Sequence, residues 1–328
     1  MKPPIAVVLL NMGGPSSLDE VDPFLFNLFR DPDLVPLPLG FLWQKTFARI
    51  VSARRAKLVR NYYAQIGGRS PLKDITLQQA HALQERLNRS ASGRFACHVA
   101  MRYTAPFTDE AIARVRAQGA RTVVALSLYP HYTTATTGSS LWELRKQLSG
   151  RPPAAGAVSL IEIDRYPDHP RYLDALALQV KRGIEQFPSR ERTSLQLLFS
   201  AHGLPQSFID KGDPYIDDLQ KTIAGVLSRL PDRLPWQLSF QSRASRARWL
   251  EPSTEEMLRS LAAKGCKQVL AVPISFVSDH IETLYEIDLL FGSQAQKLGI
   301  QLQRTPSLNT EPLFIEALAE LVESRCGS

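Results

Sequence analysis

The chain is poor in cysteine. Cys97, Cys266 and Cys326 are the only three in 328 residues, and no two share a CxxC spacing. That scarcity argues against a disulfide framework or a structural zinc site, and it fits a reducing cytosol. Long apolar runs are missing too, since no segment approaches the roughly 20 residues that cross a bilayer. The opening "MKPPIAVVLLNMGGP" has one lysine and a short apolar run that ends in a glycine turn without a small-x-small cleavage pattern, and it reads as a first strand. Acidic residues are in deficit, 32 Asp and Glu against 39 Lys and Arg, which gives a formal net charge of +7 and a pI near 9.4. Such an excess favours an anionic partner: nucleic acid, a phosphate or carboxylate ligand, or an anionic membrane face. The basic residues are scattered, with no zinc-finger, RNA-binding-domain or basic-zipper signature, so no nucleic-acid partner is expected.

What the chain does have is an internal repeat. "VVLLNMGGP" (7 to 15) and "LLFSAHGLP" (197 to 205) are both apolar strands that turn at Gly13 or Gly203 and close at Pro15 or Pro205, which sets Met12 opposite His202. "PFTDEAIARVRAQGARTVVALSLYP" (106 to 130) then matches "PSTEEMLRSLAAKGCKQVLAVPISF" (252 to 276) without a gap. Each copy of the longer match reads as a capped helix, a glycine stop and a buried strand. Eight strands are expected near 5 to 11, 95 to 103, 122 to 128, 158 to 164, 195 to 201, 236 to 242, 268 to 275 and 299 to 304. They are continuous apolar runs rather than alternating ones, which points to parallel sheets covered on both faces. The expected fold class is therefore α/β, with two similar doubly wound, Rossmann-like domains of four parallel strands each. The boundaries expected are 1 to 165 for the first domain, 166 to 308 for the second, and 309 to 328 for a last helix that docks back on the first.

That last helix, "PLFIEALAELVESR", carries an apolar face of Leu313, Phe314, Ala317, Leu318, Leu321 and Val322. A helix near 169 to 186 is expected to bridge the halves. Residues 34 to 60 interrupt the repeat with Leu39, Phe41, Leu42, Trp43, Phe47 and Ile50, followed by Arg54, Arg55 and Lys57. Two readings stand side by side: a covering helix, or an amphipathic lip over an apolar pocket that rests on a membrane surface.

Ligands of doubly wound sheets sit beyond the carboxyl ends of strands, so Met12, the loop after Tyr129, His202 and the loop after Phe276 are expected to converge on one cleft. A lone histidine at a loop entrance is ordinarily a hydrogen-bonded structural residue. A second constellation argues for more. In "VSDHIETLYEID" (277 to 288) a helix is expected to start with Ser278 or Asp279 as N-cap, placing Asp279, Glu282 and Glu286 on one face. A solvated acidic face is the usual fate of such spacing. This one begins at a strand end and lacks Lys or Arg partners four residues on. Three carboxylates beside an imidazole can take up protons or hold a divalent metal in passing.

The segments "LLNMGGP", "FLFNLFRDPDLVPLP", "IGGRSPL", "MRYTAPFTDEAI", "YPHYTTATTGSS", "FSAHGLPQSFIDKGDPY", "QSRASRARWLEPSTEE" and "SFVSDHIETLYEID" together resemble the ferrochelatase family over nearly the whole chain. The resemblance implies insertion of ferrous iron into protoporphyrin IX with release of two protons, the last step of haem synthesis, and iron as a substrate rather than a bound cofactor. It implies His202 as the active-site histidine and Glu282 as its partner acid, the two groups that meet the metal. Met12, Arg102, Tyr129, Trp249 and Phe276 are implied to line the macrocycle, with Arg54, Arg55, Ser70 and Ser242 near the propionates. Asp279 and Glu286 would serve a proton or metal path. The location implied is cytoplasmic, with peripheral contact at the inner face of the cell membrane through residues 34 to 60.

The chain departs from the family pattern in two places. Some relatives carry an iron-sulfur cluster on C-terminal cysteines and one in the loop after the third strand. Here that loop reads "HYTTATT" and the tail holds Cys326 alone, so no cluster is expected. A glycine usual before the tryptophan is absent from "RASRARW". Coproporphyrin is the rival substrate, and a porphyrin carrier that binds without catalysis is the rival class. A carrier needs neither His202 nor Glu282.

Overall fold

The computed structural model describes residues 3–37, 40–89, 93–150, 158–231, 233–243 and 247–326. Two units divide the chain, one of residues 1–166 with 309–328 and one of residues 167–308. In the first unit the order is β1 (Ile5–Asn11), α1 (Val21–Phe29), α2 (Gly40–Ala64), α3 (Leu72–Leu87), β2 (Phe95–Met101), α4 (Thr108–Ala117), β3 (Thr122–Ser127), a π-helix (Thr134–Gly138), α5 (Ser139–Ser149) and β4 (Ser159–Ile163). In the second it is α6 (Pro170–Glu185), β5 (Gln196–His202), α7 (Gln206–Asp210), α8 (Tyr215–Leu227), β6 (Trp236–Gln241), α9 (Thr254–Ala263), β7 (Gln268–Pro273), a second π-helix (Glu282–Phe291), α10 (Gly292–Lys297) and β8 (Gln301–Arg304). The last helix, α11 (Pro312–Cys326), belongs to the first unit.

Among the described residues each unit has one four-stranded parallel sheet, ordered β2-β1-β3-β4 in the first and β6-β5-β7-β8 in the second. Apolar runs such as "AVVLL" of β1 and "LLF" of β5 are buried throughout, because helices cover both faces of a parallel sheet. In each order the second strand is added on one side of the first and the third on the other, so the direction of growth reverses after the second strand. The switch point, where doubly wound sheets leave a crevice, therefore lies beyond the ends of β1 and β3 in one unit and of β5 and β7 in the other.

The repeat read from sequence is reproduced in the hydrogen bonds. Leu128 N–H donates to Leu10 O, and its counterpart Ile274 N–H to Ser200 O, both at 3.1 Å. Met101 N–H donates to Pro106 O at 2.8 Å, and Phe240 N–H to Pro252 O at 2.9 Å. Gly119 and Gly265 end their helices at φ +68° and +80°, a left-handed conformation that a Cβ disfavours. The caps differ. Ser253 forms a full capping box with Glu256, whereas Phe107 has no hydroxyl and keeps only the bond from its N–H to Glu110.

One sequence expectation changes and another gains detail. The helix near 169 to 186 forms as α6 and belongs to the second unit, where Gly183 lets it approach Leu270. The segment 34 to 60 is helical from Gly40, but its buried stripe is Gln44, Ala48, Ser52, Ala56, Val59 and Tyr63. The large apolar side chains Leu42, Trp43, Ile50 and Leu58 point outward instead, Leu42 and Trp43 at 61% exposure. Leu39 lies outside the described residues, as does the centre of the "RASRARW" loop, residues 244 to 246. Among the described residues no helix is long and apolar enough to cross a membrane.

Candidate active site

His202 is the last residue of β5, at the switch point of the second sheet. Its backbone is pinned by a small relay: its N–H donates to Ser275 Oγ (3.2 Å), Ser275 and the Tyr215 hydroxyl are 2.6 Å apart, and that hydroxyl donates to His202 O (3.0 Å). The ring then points its Nδ1 at Glu282 Oε2, 2.7 Å away. A carboxylate accepts, so Nδ1 carries the hydrogen and Nε2 is left with the lone pair of a neutral ring. Nε2 has no hydrogen-bond partner among the described residues, and a third of the side chain is exposed. Burial pushes this imidazole toward neutrality, but the Glu282 carboxylate outweighs it and raises the pKa above the ordinary 6.5. Glu282 is itself disfavoured by burial, yet His202 and His280 hold it well below the ordinary carboxylate value.

Glu282 and Glu286 share one serine. Ser242 Oγ lies 3.0 Å from Glu282 Oε2 and 2.5 Å from Glu286 Oε2. One hydroxyl has one hydrogen, so it cannot donate to both oxygens, and a second proton must complete the bridge. Glu286 is the group that holds it, because burial first and the Glu282 charge second push its pKa up to about 7. Gln241 fixes the other side. Ser200 Oγ donates to its carbonyl (2.6 Å), which turns its amide toward Glu282 O (3.1 Å) and Glu286 Oε2 (3.3 Å). Ser242 follows the strand end at φ +67°, an uncommon conformation for a residue with a side chain, and this turn brings its hydroxyl between the two acids.

The three acids do not lie on one α-helical face. Asp279 and His280 precede the helical residues, the N-cap is Ile281 rather than Ser278 or Asp279, and residues 282–291 wind as a π-helix with i→i+5 bonding. Asp279 turns away to Arg304 of β8 (3.0 Å), a cation supplied from another element that helix spacing alone does not reveal. Glu282 and Glu286, four apart, converge on Ser242. His280, unremarked in the sequence reading, is buried against Phe276, with ring centroids 4.3 Å apart. Its Nδ1 faces Ser278 O (3.1 Å) and must carry hydrogen, while Nε2 is buried without a hydrogen bond, 3.9 Å from Glu282 Oε1. Burial lowers its pKa. Gln241, Tyr215 and His280 sit inside the quoted segments, so only their roles were missed.

Trp249 is buried and pairs across a bridge with Pro205, which holds it beside Gly203 in the His202 loop. Phe276 lies edge-on to His202 at 6.3 Å. The remaining expected residues belong to the first unit. Met12 follows β1 half-buried, and Tyr129 follows β3 with its N–H on Ser127 Oγ (3.2 Å). Arg54 is exposed and Arg55 lies over the Phe29 ring at 5.7 Å. Two polar residues turn inward. Ser70 is buried, accepts from Leu72 N–H (3.3 Å) and donates its own N–H to Pro15 O (2.8 Å). Arg102 is tied to buried Asp31 (2.9 Å) and to Ser139 Oγ (2.8 Å). Ser70 thus joins the segment after β1 to the start of α3, and Arg102 joins the segment after β2 to Asp31 after α1 and to the start of α5. Among the described residues no group of three His, Cys, Asp or Glu is arranged as a metal cage.

Solved structures share this architecture: SirB from Bacillus subtilis with Fe3+ has a TM-score of 0.54 at 14% identity, covering 76% of this chain and 89% of its own. A sirohydrochlorin chelatase SirB in complex with cobalt, from Bacillus subtilis subspecies spizizenii, has 0.52 at 10% identity, covering 97% and 94%. Two doubly wound units of this form define a protein of the chelatase fold. A ferrochelatase family model matches residues 4–326. Ferrochelatase of Geotalea uraniireducens is 51% identical over 98% of both chains, and that of Aquifex aeolicus 41% identical over 97% of this chain and 98% of its own. The chain belongs to the ferrochelatase family, lyases of haem biosynthesis.

Proposed function

We propose that this protein inserts ferrous iron into protoporphyrin IX. The observation that carries the reading is the His202–Glu282 pair at 2.7 Å, with Nε2 of the ring unpartnered and a second, protonatable acid one serine away. Metal insertion breaks two pyrrole N–H bonds as metal–nitrogen bonds form, so two protons must leave. His202 Nε2 is the base for a pyrrole proton, and Glu282 balances the imidazolium that results. Through Ser242 the Glu282 carboxylate is joined to Glu286, whose pKa of about 7 lets it load and release a proton at neutral pH. Phe276 and Trp249 are assigned to apolar contact with the macrocycle, as are Met12 and Tyr129. The propionates are assigned to Arg54 and Arg55. Ser70 and Arg102, engaged inside the protein, act on the pocket by shaping it.

The same reading places α2 on an anionic membrane face. Leu42, Trp43, Ile50 and Leu58 are exposed, and Lys45, Arg49, Arg54 and Lys57 are exposed beside them. The protein is assigned to the cytoplasm, at that inner face. No iron-sulfur cluster belongs to the reading, because the cysteines lack cluster spacing, and iron and labile-sulfide analysis of the purified protein checks this.

The deciding experiment is an anaerobic steady-state assay with ferrous iron and either protoporphyrin IX or coproporphyrin. Turnover of protoporphyrin supports the proposal, turnover of coproporphyrin alone replaces the substrate, and binding of either without turnover makes the protein a carrier. His202→Ala should still quench porphyrin fluorescence on binding while losing insertion; activity within a few-fold of wild type would remove His202 from the chemistry.

A further inference from the structure

The segment that bears Glu282 and Glu286 is a ten-residue π-helix, Glu282–Phe291. Such winding is common only as a single turn inside an α-helix, because its wider bonding is the weaker choice for the backbone. A run this long needs tertiary contacts to select it. The strongest candidate for that selection is Arg304, the last residue of β8, with only 12% of its side chain exposed.

Arg304 grips the segment at two points. Its Nε and Nη2 form a two-pronged contact with Asp288 at 2.7 and 2.9 Å, and Asp288 lies within the π-helix. Its Nη1 reaches Asp279 Oδ1 at 3.0 Å, three residues before Glu282. The same oxygen of Asp279 accepts from Ser307 Oγ (2.8 Å) and from Thr283 Oγ1 (3.1 Å), which extends the clamp into the first turn. Arg304 Nη1 also donates to Thr305 O (3.1 Å), so the guanidinium is held to its own strand end as well. A buried, forked guanidinium with several partners fixes geometry in a way that a surface ion pair does not.

We propose that Arg304 is a positioning residue for metal insertion: by clamping Asp279 and Asp288 it holds the π-wound segment so that Glu282 meets His202 and Glu286 meets Ser242. The proposal rests on the ferrochelatase reading of this site. It accounts for Asp279 without placing that carboxylate on a proton or metal path. Both carboxylates at Ser242 come from one element, so a small slip of that element separates them from Ser242 and His202 together.

The test measures Arg304→Met, Arg304→Lys and Asp288→Asn in the full chain, by ferrous insertion kinetics, porphyrin fluorescence titration, thermal unfolding and hydrogen exchange. Arg304→Met should lower kcat by roughly tenfold or more, the scale of a displaced catalytic group, with porphyrin affinity changed less than about twofold. Arg304→Lys keeps the charge without the fork and should recover part of that loss. Should Arg304→Met fail to fold, Asp288→Asn removes one arm of the clamp at a side chain 35% exposed, and it should lower kcat while raising amide exchange selectively in residues 282–291. Unchanged exchange there, or a loss of activity no greater than the loss of folded protein, would overturn the clamp. If wild type inserts no metal the functional reading fails, and the exchange measurement still decides whether Arg304 holds the segment.

Discussion

Two carboxylates four residues apart have opposite electrostatic fates at this site, and the difference sets measurable pH behaviour. Glu282, held below its ordinary 4.5, contributes stability above that value and loses it as pH falls through its folded pKa. Glu286 has the reverse sign. Its folded pKa of about 7 means that from about 4.5 upward the unfolded chain ionises it more readily than the folded one does, so stability falls as pH rises to about 7. Glu286→Gln should therefore raise the melting temperature at pH 8 and leave it nearly unchanged at pH 4; an equal effect at both pH values would show that Glu286 is not held protonated. On the proposed function His202 acts as a base only when neutral, so its raised pKa should put the acid limb of kcat above the ordinary 6.5, which a pH–rate profile checks. Glu282→Gln removes the carboxylate that balances the imidazolium and should lower kcat by roughly 10²-fold, the lower end of acid–base catalysis. Glu286→Gln should be milder and appear as a weaker dependence on ferrous iron. Equal small effects at the two positions would take both acids out of the chemistry.

At the scale of elements, the ends of β5 and β6 approach so closely that Gly203 has no room for a side chain. A Cβ there would lie 2.7 Å from Gln241 O, a backbone atom that cannot rotate away. Gly203→Ala should cost about 1–3 kcal/mol of stability, the range for overpacking, and lower kcat further by moving Gln241 off both acids. Chemical denaturation together with single-turnover kinetics separates the two effects. The lip is the second such case. Its buried stripe of small and polar residues packs against the unit, with Gln44 donating to Phe29 O (2.9 Å) and Val35 O (3.0 Å), while its bulk faces out. Leu42→Ser with Trp43→Ser removes two exposed apolar side chains, each contributing about 1.5–3 kcal/mol when buried. Binding to anionic vesicles should weaken at least tenfold at about 1.4 kcal/mol per decade, with insertion of dissolved porphyrin near wild type. Vesicle binding unaffected by the pair would take the membrane away from α2.

For the molecule as a whole, the chain end completes the first unit. Phe314, Leu318 and Val322 of α11 are fully buried, and Arg86 of α3 donates to both oxygens of Glu316 (2.8 and 2.6 Å) and to Glu323 (3.2 Å). Gln79 adds a bond to Asn309 O at 2.7 Å. Removing residues 312 to 328 should destabilise the unit by about 5 kcal/mol or more, from three large apolar side chains at about 1.5–3 kcal/mol each. Arg86→Met should cost only about 1 kcal/mol, since its partners are partly exposed and screened. Thermal unfolding and solubility of both variants check the ranking. A truncated chain as stable as wild type would show that α11 contributes no core.

The eight strands, the glycine stops and the repeat were legible because they depend on local pattern: unbroken apolar runs, a cap, a residue able to adopt positive φ. His202 was legible as a type at a strand end and Glu282 as a type in the segment after the seventh strand, the side on which a doubly wound sheet presents its ligands. Three things were not written locally. Spacing put Asp279, Glu282 and Glu286 on one α-helical face, but the winding is a π-helix, and Arg304 of β8 draws Asp279 aside. Arg102 and Ser70 read as ligand contacts, and their partners within the protein, Asp31 and Ser139 for Arg102 and Pro15 and Leu72 for Ser70, are supplied by segments that local pattern does not reveal. In α2 apolar residues were expected to cover or to anchor, and burial of the small stripe turned the large ones outward. The sequence by itself determined which residues can form strands, turns and acid–base groups, because propensity and pKa range belong to each residue. Only the tertiary structure decided which oxygen meets which proton, since a partner 25 or 71 positions away, as Arg304 is from Asp279 and Arg102 from Asp31, leaves no trace in local periodicity.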